Sequence, residues 1–146
     1  MKSFFKEIFE YHHQTNQRLI GQISENIDKV SERTIPLFSH AINAHQIWNS
    51  RILQTAPLGV FEIHSLDKCI ELDKENFEHT IKIMDSYEMF FVVSYQDSKG
   101  DLYQNTVSDI LYHIGNHFTH HRGQLISDLR QNDIAPIRTD YILYKR

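Results

Sequence analysis

The chain has little of what usually braces a small protein. Its 146 residues include one cysteine, Cys69, which excludes an internal disulfide framework and any zinc cluster built on cysteines. Three prolines and five glycines leave few points at which a helix must break. No apolar run reaches the roughly 18 residues that read as a membrane span. Near the start, Lys6, Glu7 and Glu10 interrupt the apolar stretch that a secretory leader would need. A positive excess is missing too. Fifteen Lys and Arg face 19 Asp and Glu, for a net charge of −4, which argues against partners held by phosphate neutralisation. The expectation is a soluble, cytoplasmic protein with no nucleic-acid and no membrane partner.

What is present suits long helices. The chain is 40% hydrophobic and 23% charged, enough for one core in a single domain over residues 1–146. From about Ser3 to Val30, Phe5, Ile8, Phe9, His12, Asn16, Leu19, Ile20, Ile23 and Ile27 recur at helical steps. A second helix is expected from Thr34, its hydroxyl capping and Pro36 in the first turn, to a stop before Pro57. Its stripe is Leu37 or Phe38, Ala41, His45, Trp48 and Ile52. The third runs from after Ser65 to about Tyr87, with Leu66, Ile70, Phe77, Ile81 and Met84 facing inward. Met89 to Tyr95 is aromatic and β-branched, and a turn at Asp97 to Gly100 leads into Asp101 to Asn105, the pattern of a short hairpin. A fourth helix follows from about Thr106 to Gln131. The tail from Pro136 holds Ile137, Tyr141, Ile142 and Tyr144, too apolar to be left disordered. The fold class is all-α: a four-helix bundle with a short β-hairpin between helices three and four.

The ten histidines carry the functional signal. In LYHIGNHFTHHRGQL, the i, i+4 spacing puts His113, His117 and His121 on one stripe, which drifts by about 80° over eight residues. An ion therefore fits between two successive turns more readily than across all three. Either His113 with His117 or His117 with His121 makes a two-imidazole clamp. The glutamate of H-E-x-x-H is missing, so a metalloprotease of that type is disfavoured. Two other helices break their apolar stripes at a similar level. His45 stands between Ala41 and Trp48, and His12 and Asn16 interrupt the first helix. A buried imidazole needs a partner, and three imidazoles from two helices make an open zinc-like site. The alternative is a buried hydrogen-bonded polar cluster.

At these residues the sequence resembles the DinB (damage-inducible, YfiT-like) family of four-helix-bundle metalloproteins. The resemblance runs through FFKEIFEYHHQTNQRL, HAINAHQIWNSRI, SKGDLY, HIGNHFTHHRGQL and PIRTDYILYKR. Its strongest part is H-x-x-N-H-x-x-x-H-R-G-Q, His113 to Gln124. The resemblance implies one divalent ion per chain, zinc or nickel, held by one histidine of helix two and two of the last helix. Carried over, these are His45, His117 and His121, with His113 a packing or outer residue and His120 without a role. It also implies a homodimer paired through bundle helices. Relatives of the fold include thiol-dependent transferases and isomerases. The enzyme reading is therefore metal-assisted thiol transfer or hydrolysis on a small-molecule substrate, with a low-molecular-weight thiol as co-substrate and His12 and Asn16 lining the cleft. The competing reading is a non-enzymatic, stress-responsive protein whose ion is structural or sensed.

Weaker signals have plainer readings. Cys69 beside Lys68 reads as a packing residue rather than a reactive thiol. Arg122 reads as half of a structural salt bridge to Asp109 or Asp140, and Trp48 and Phe118 as core. No glycine-rich phosphate loop and no G-x-S-x-G elbow is present.

Overall fold

The expected periodicities resolve into four long helices in a computed structural model that describes every residue, Met1–Arg146. They are α1 (Lys2–Glu25), α2 (Thr34–Leu53), α3 (Leu66–Ser86) and α4 (Val107–Gln131). The hairpin β1 (Val92–Gln96) and β2 (Leu102–Thr106) lies between α3 and α4, and a single turn of helix, α5 (Tyr141–Tyr144), sits in the tail. The all-α bundle with its hairpin is as the sequence implies. No helix is long and apolar enough to cross a membrane.

Local chemistry explains the boundaries. α3 begins after Ser65, whose hydroxyl accepts from the Lys68 amide at 3.2 Å. α4 opens with a capping box: Thr106 Oγ1 accepts from the Asp109 amide while the Asp109 carboxylate accepts from the Thr106 amide. α2 stops at Leu53 because Gln54 turns left-handed, with φ 55°, ahead of Pro57. The hairpin is antiparallel with Ser94 opposite Gln104 and Tyr95 opposite Tyr103. Its turn ends on Gly100 at φ 88°, a conformation that favours glycine. Thr34 does not cap α2. Its hydroxyl instead donates to Asp128 Oδ2 at 2.5 Å, where Ser31 donates as well at 2.9 Å. One buried carboxylate of α4 thus fixes the α1–α2 connection.

The core is a cluster that includes Phe9, Leu19, Phe38, Ile42, Ile83, Met84, Ile110, Ile114, Phe118 and Leu129. α3 departs from the expected stripe. Ile70 is exposed, and Leu66, Phe77 and Ile81 are only half-buried. The buried face is instead Cys69, Leu72, Asp73, Asn76, Thr80, Ile83 and Met84. Three of these are polar, and each has partners on α1 or α2. Asp73, 2% exposed, accepts from Asn16 Nδ2 at 2.8 Å, Gln17 Nε2 at 2.8 Å and His13 Nδ1 at 2.6 Å. Asn76 Nδ2 donates to the Ile42 carbonyl, and Asn49 Nδ2 donates to the Asn76 carbonyl, at 3.1 and 3.0 Å. Buried polar groups are tolerated when they are bonded in this way, and an apolar count alone does not find them.

α3 packs closely on both α1 and α2, and α4 on α2, while α1 and α4 touch only sparingly. A groove of about 780 Å³ opens between α1 and α4 and is bounded by the tail from Pro136 to Tyr141.

Replacing Asp73 with Ala strands three donors, one of them buried with Asn16. The expected loss is about 3 kcal/mol, read from urea unfolding, and a loss below about 1 kcal/mol would show that the seam is not a major support.

Candidate metal centre

α2 and α4 run antiparallel, with the edge of α2 from His40 to Trp48 lying along the edge of α4 from His121 to His113. This brings three imidazoles together: His40, His117 and His121. Their ligand-capable atoms lie within 4.8 Å of one another, and each residue is half-buried.

The hydrogen bonds decide which nitrogens face inward. His40 Nδ1 donates to the Val60 carbonyl at 3.2 Å, which leaves Nε2 as its free lone pair. His121 Nδ1 donates to Gln124 Oε1 at 2.7 Å, and its Nε2 lies 3.1 Å from His117 Nε2. A tetrahedral ion with Zn–N bonds of 2.0–2.1 Å separates two ligand nitrogens by about 3.4 Å. The α4 pair is therefore already set to that edge. Burial, and then the neighbouring His121 and His40, push the His117 pKa down to about 4. Burial also lowers His121, against the opposing Gln124 hydrogen bond. Neutral imidazole is the form that binds a metal. Three imidazoles so placed at a half-exposed edge could hold a metal ion.

The helix-two member of this group is His40; the structure does not bring the expected His45 to His117 and His121. His40 and His45 are five apart, about 140° round the helix, so they cannot share a face. His45 points into the core, fully surrounded, with Phe9 and Phe118 against its ring at 5.5 and 5.4 Å between centroids. Its Nε2 donates to Thr80 Oγ1 at 2.7 Å, while the Thr80 hydroxyl donates to the Asn76 carbonyl at 2.9 Å. Its Nδ1 has no partner. Sequence reasoning placed His45 rightly in an apolar stripe but took its partner to be an ion. The signal for the true partner was Thr80, one turn from Asn76 on α3. His40 went unread because it lies off the apolar stripe, although an open site needs a half-exposed ligand.

The other expected residues are elsewhere. Asn16 is buried on Asp73, and His12 Nδ1 accepts from Arg122 Nη2 at 2.7 Å, so neither lines a cleft at the three histidines. His113 is largely exposed and packs edge-on to Trp48, with centroids 4.8 Å apart. His120 reaches Gln124. Trp48 is half-buried rather than core and lies under the Arg51 guanidinium, 4.1 Å from the ring centroid, whereas Phe118 is core. Arg122 pairs with neither Asp109 nor Asp140. Cys69 is buried, and burial raises its thiol pKa, which suits packing.

The DinB family model matches residues 1–146. The chain belongs to the DinB family. Protein DinB of Bacillus subtilis (strain 168) is 24% identical over 164 residues, which cover 99% of this chain and 95% of that relative. The DinB match thus spans both the bundle and the hairpin, and the three histidines sit inside it.

Burial, with smaller contributions from the His79 and His13 charges, lowers the His45 pKa from 6.5 to about 3. The unfolded chain therefore takes up a proton below pH 6.5 that the folded chain refuses, and stability falls as pH drops from 6.5 towards 3. His45 alone accounts for about 2 kcal/mol between pH 7 and pH 5. In urea unfolding with chelator present, His45→Leu is expected to lose that much less than the parent over this interval. An unchanged pH dependence would contradict the buried neutral imidazole.

Proposed function

We propose that this DinB-family chain binds one zinc or nickel ion through His40, His117 and His121, and uses it in a thiol-dependent transfer or hydrolysis on a small molecule. The observation that carries the reading is the convergence of three imidazoles from two helices, two of which have their outward Nδ1 tied to an oxygen acceptor. When bound, a divalent ion on three neutral ligands supplies Lewis acidity, lowering the pKa of a thiol or water in its open position.

The chain's own residues would do the rest. Val60 and Gln124 hold the His40 and His121 rings in the tautomer that leaves Nε2 free. Phe61 stacks on His40 with planes 15° apart, and its exposed ring forms an apolar wall beside the open position. Arg51, lying against Trp48 and Tyr95, offers a cation further along the same edge for an anionic substrate group. The half-exposed setting favours a reacting ion over one that only joins α2 to α4, since those helices already share the core residues Phe38, Ile42, Ile114 and Phe118.

Metal analysis of tag-free protein prepared without a nickel column is expected to give about one ion per chain. His45→Leu should keep it, whereas His40→Ala, His117→Ala and His121→Ala should lose it. An ion retained by His40→Ala but lost from His45→Leu would reverse the assignment. Gln124→Leu should weaken zinc affinity roughly 10- to 100-fold in chelator competition.

The thiol reading has its own check. Cobalt-loaded protein titrated with a low-molecular-weight thiol should develop a sulfur-to-cobalt charge-transfer band that is missing from His117→Ala. A spectrum indifferent to thiol would leave a metal site without thiol chemistry.

A further inference from the structure

The face of α4 opposite the three histidines carries a second constellation. Arg122 follows His121 directly, yet about 100° of helical rotation turns it away from them and into the groove between α1, α4 and the tail. Arg122, whose guanidinium stays protonated in proteins, is 5% exposed. No carboxylate lies within salt-bridge distance of it. Nη1 donates to Tyr11 Oη at 2.6 Å and Nη2 to His12 Nδ1 at 2.7 Å, and Nε has no partner. Both partners are neutral. The Asp73 carboxylate acts on this cation only from beyond salt-bridge distance, and a buried cation whose direct contacts are all neutral is costly unless a closer counter-charge meets it.

The neighbours leave donors rather than acceptors. Tyr11 accepts from Arg122 and passes its own proton to the Thr139 carbonyl at 2.5 Å. Because His12 Nδ1 accepts from Arg122, its proton sits on Nε2, which makes no hydrogen bond within the chain. That nitrogen faces Gly115, where a Cβ would come to 3.3 Å of it. Gly115 and His12 both line the groove, as do Arg130 and Arg138, against one acid, Asp140. Apolar side chains, Phe5, Ile8 and Ile126 among them, make up much of the remaining wall, alongside Asn116 and Thr119.

We infer that this groove binds a small organic carboxylate carried on an apolar body, with Arg122 and His12 recognising the carboxylate and the α1–α4 walls holding the body. Charge complementarity selects the ligand: one buried cation whose Nε has no partner and one imidazole N–H without an acceptor in the chain. A volume of about 780 Å³ lies within the usual range for small-molecule sites. The site is independent of the metal reading and stands or falls without it.

The test uses the full chain with chelator present and octanoate as probe, followed by calorimetry and thermal unfolding, with octan-1-ol as the uncharged control. Saturable octanoate binding that raises the melting temperature, with no comparable effect of octanol, is expected. Arg122→Met should weaken octanoate binding at least about tenfold, the usual weight of a charged hydrogen bond. Because that variant removes a buried group and can fail to fold, Asn116→Trp serves beside it. Asn116 is an exposed groove residue on α4, and a Trp there blocks the groove without entering the core. Octanoate binding retained in Asn116→Trp, equal stabilisation by octanol, or no binding to the parent chain overturns the proposal. So does light scattering in which the parent is a dimer and Asn116→Trp a monomer, since a second copy would then occupy the groove.

Discussion

The bond between Thr80 and His45 fixes much of what this molecule can do. It buries an imidazole in the core of the bundle at a neutral hydroxyl, and that hydroxyl is itself tied to Asn76 and Asn49. Around it, α3 gives up the apolar stripe that its aliphatic residues suggest and presents Asp73, Asn76 and Thr80 inward. The helices on either side answer residue by residue, α1 with Asn16 and Gln17, α2 with His45 and Asn49. Such a seam orients the bundle more than it stabilises it, because each polar pair has one matching register and apolar contacts have several. With α2 held in this rotation, His40 necessarily lies at its half-exposed edge, facing α4.

The sequence made the architecture legible because helical periodicity and scarce glycine and proline act over whole segments. The α3 start at Ser65, the hairpin turn at Gly100 and the end of α4 at Gln131 are where local chemistry put them. The inward face of α3 was not legible, since polar residues with partners inside a core look the same in one dimension as polar residues facing water. Asp73 and Asn76 are distinguished only by Asn16, Gln17 and Asn49, which are distant in sequence. The same ambiguity attaches to His45: the apolar stripe reported its burial, but burial is not ligation. The i, i+4 spacing of His117 and His121 survived translation into three dimensions because it is set within a single helix.

Two kinds of nitrogen chemistry are thus kept apart in one small bundle. Two of the three imidazoles at the α2–α4 edge, His40 and His121, have their outward nitrogens engaged by neutral oxygens, and all three share a half-exposed space. The imidazoles of the interior, His45 and His12, have fixed protein partners and depressed basicity. His12 differs from His45 in reaching a groove, and its partner there is a cation.

α4 serves both regions, with His117 and His121 on one side and Gly115, Arg122 and Ile126 on the other. Because the helix is continuous from Val107 to Gln131, the angular relation between the two sides is set by residue count alone. Inserting or deleting one residue between His117 and His121 would turn everything after it by about 100° against everything before it, parting the two histidines and, with them, Gly115 from Arg122. These turns therefore behave as a reading frame: they admit exchange of side chains but no change of length. The stretch between α2 and α3 is held differently, by separate bonds to Ser39, Asn43 and Gln46 of α2 as well as by the Val60 carbonyl on His40.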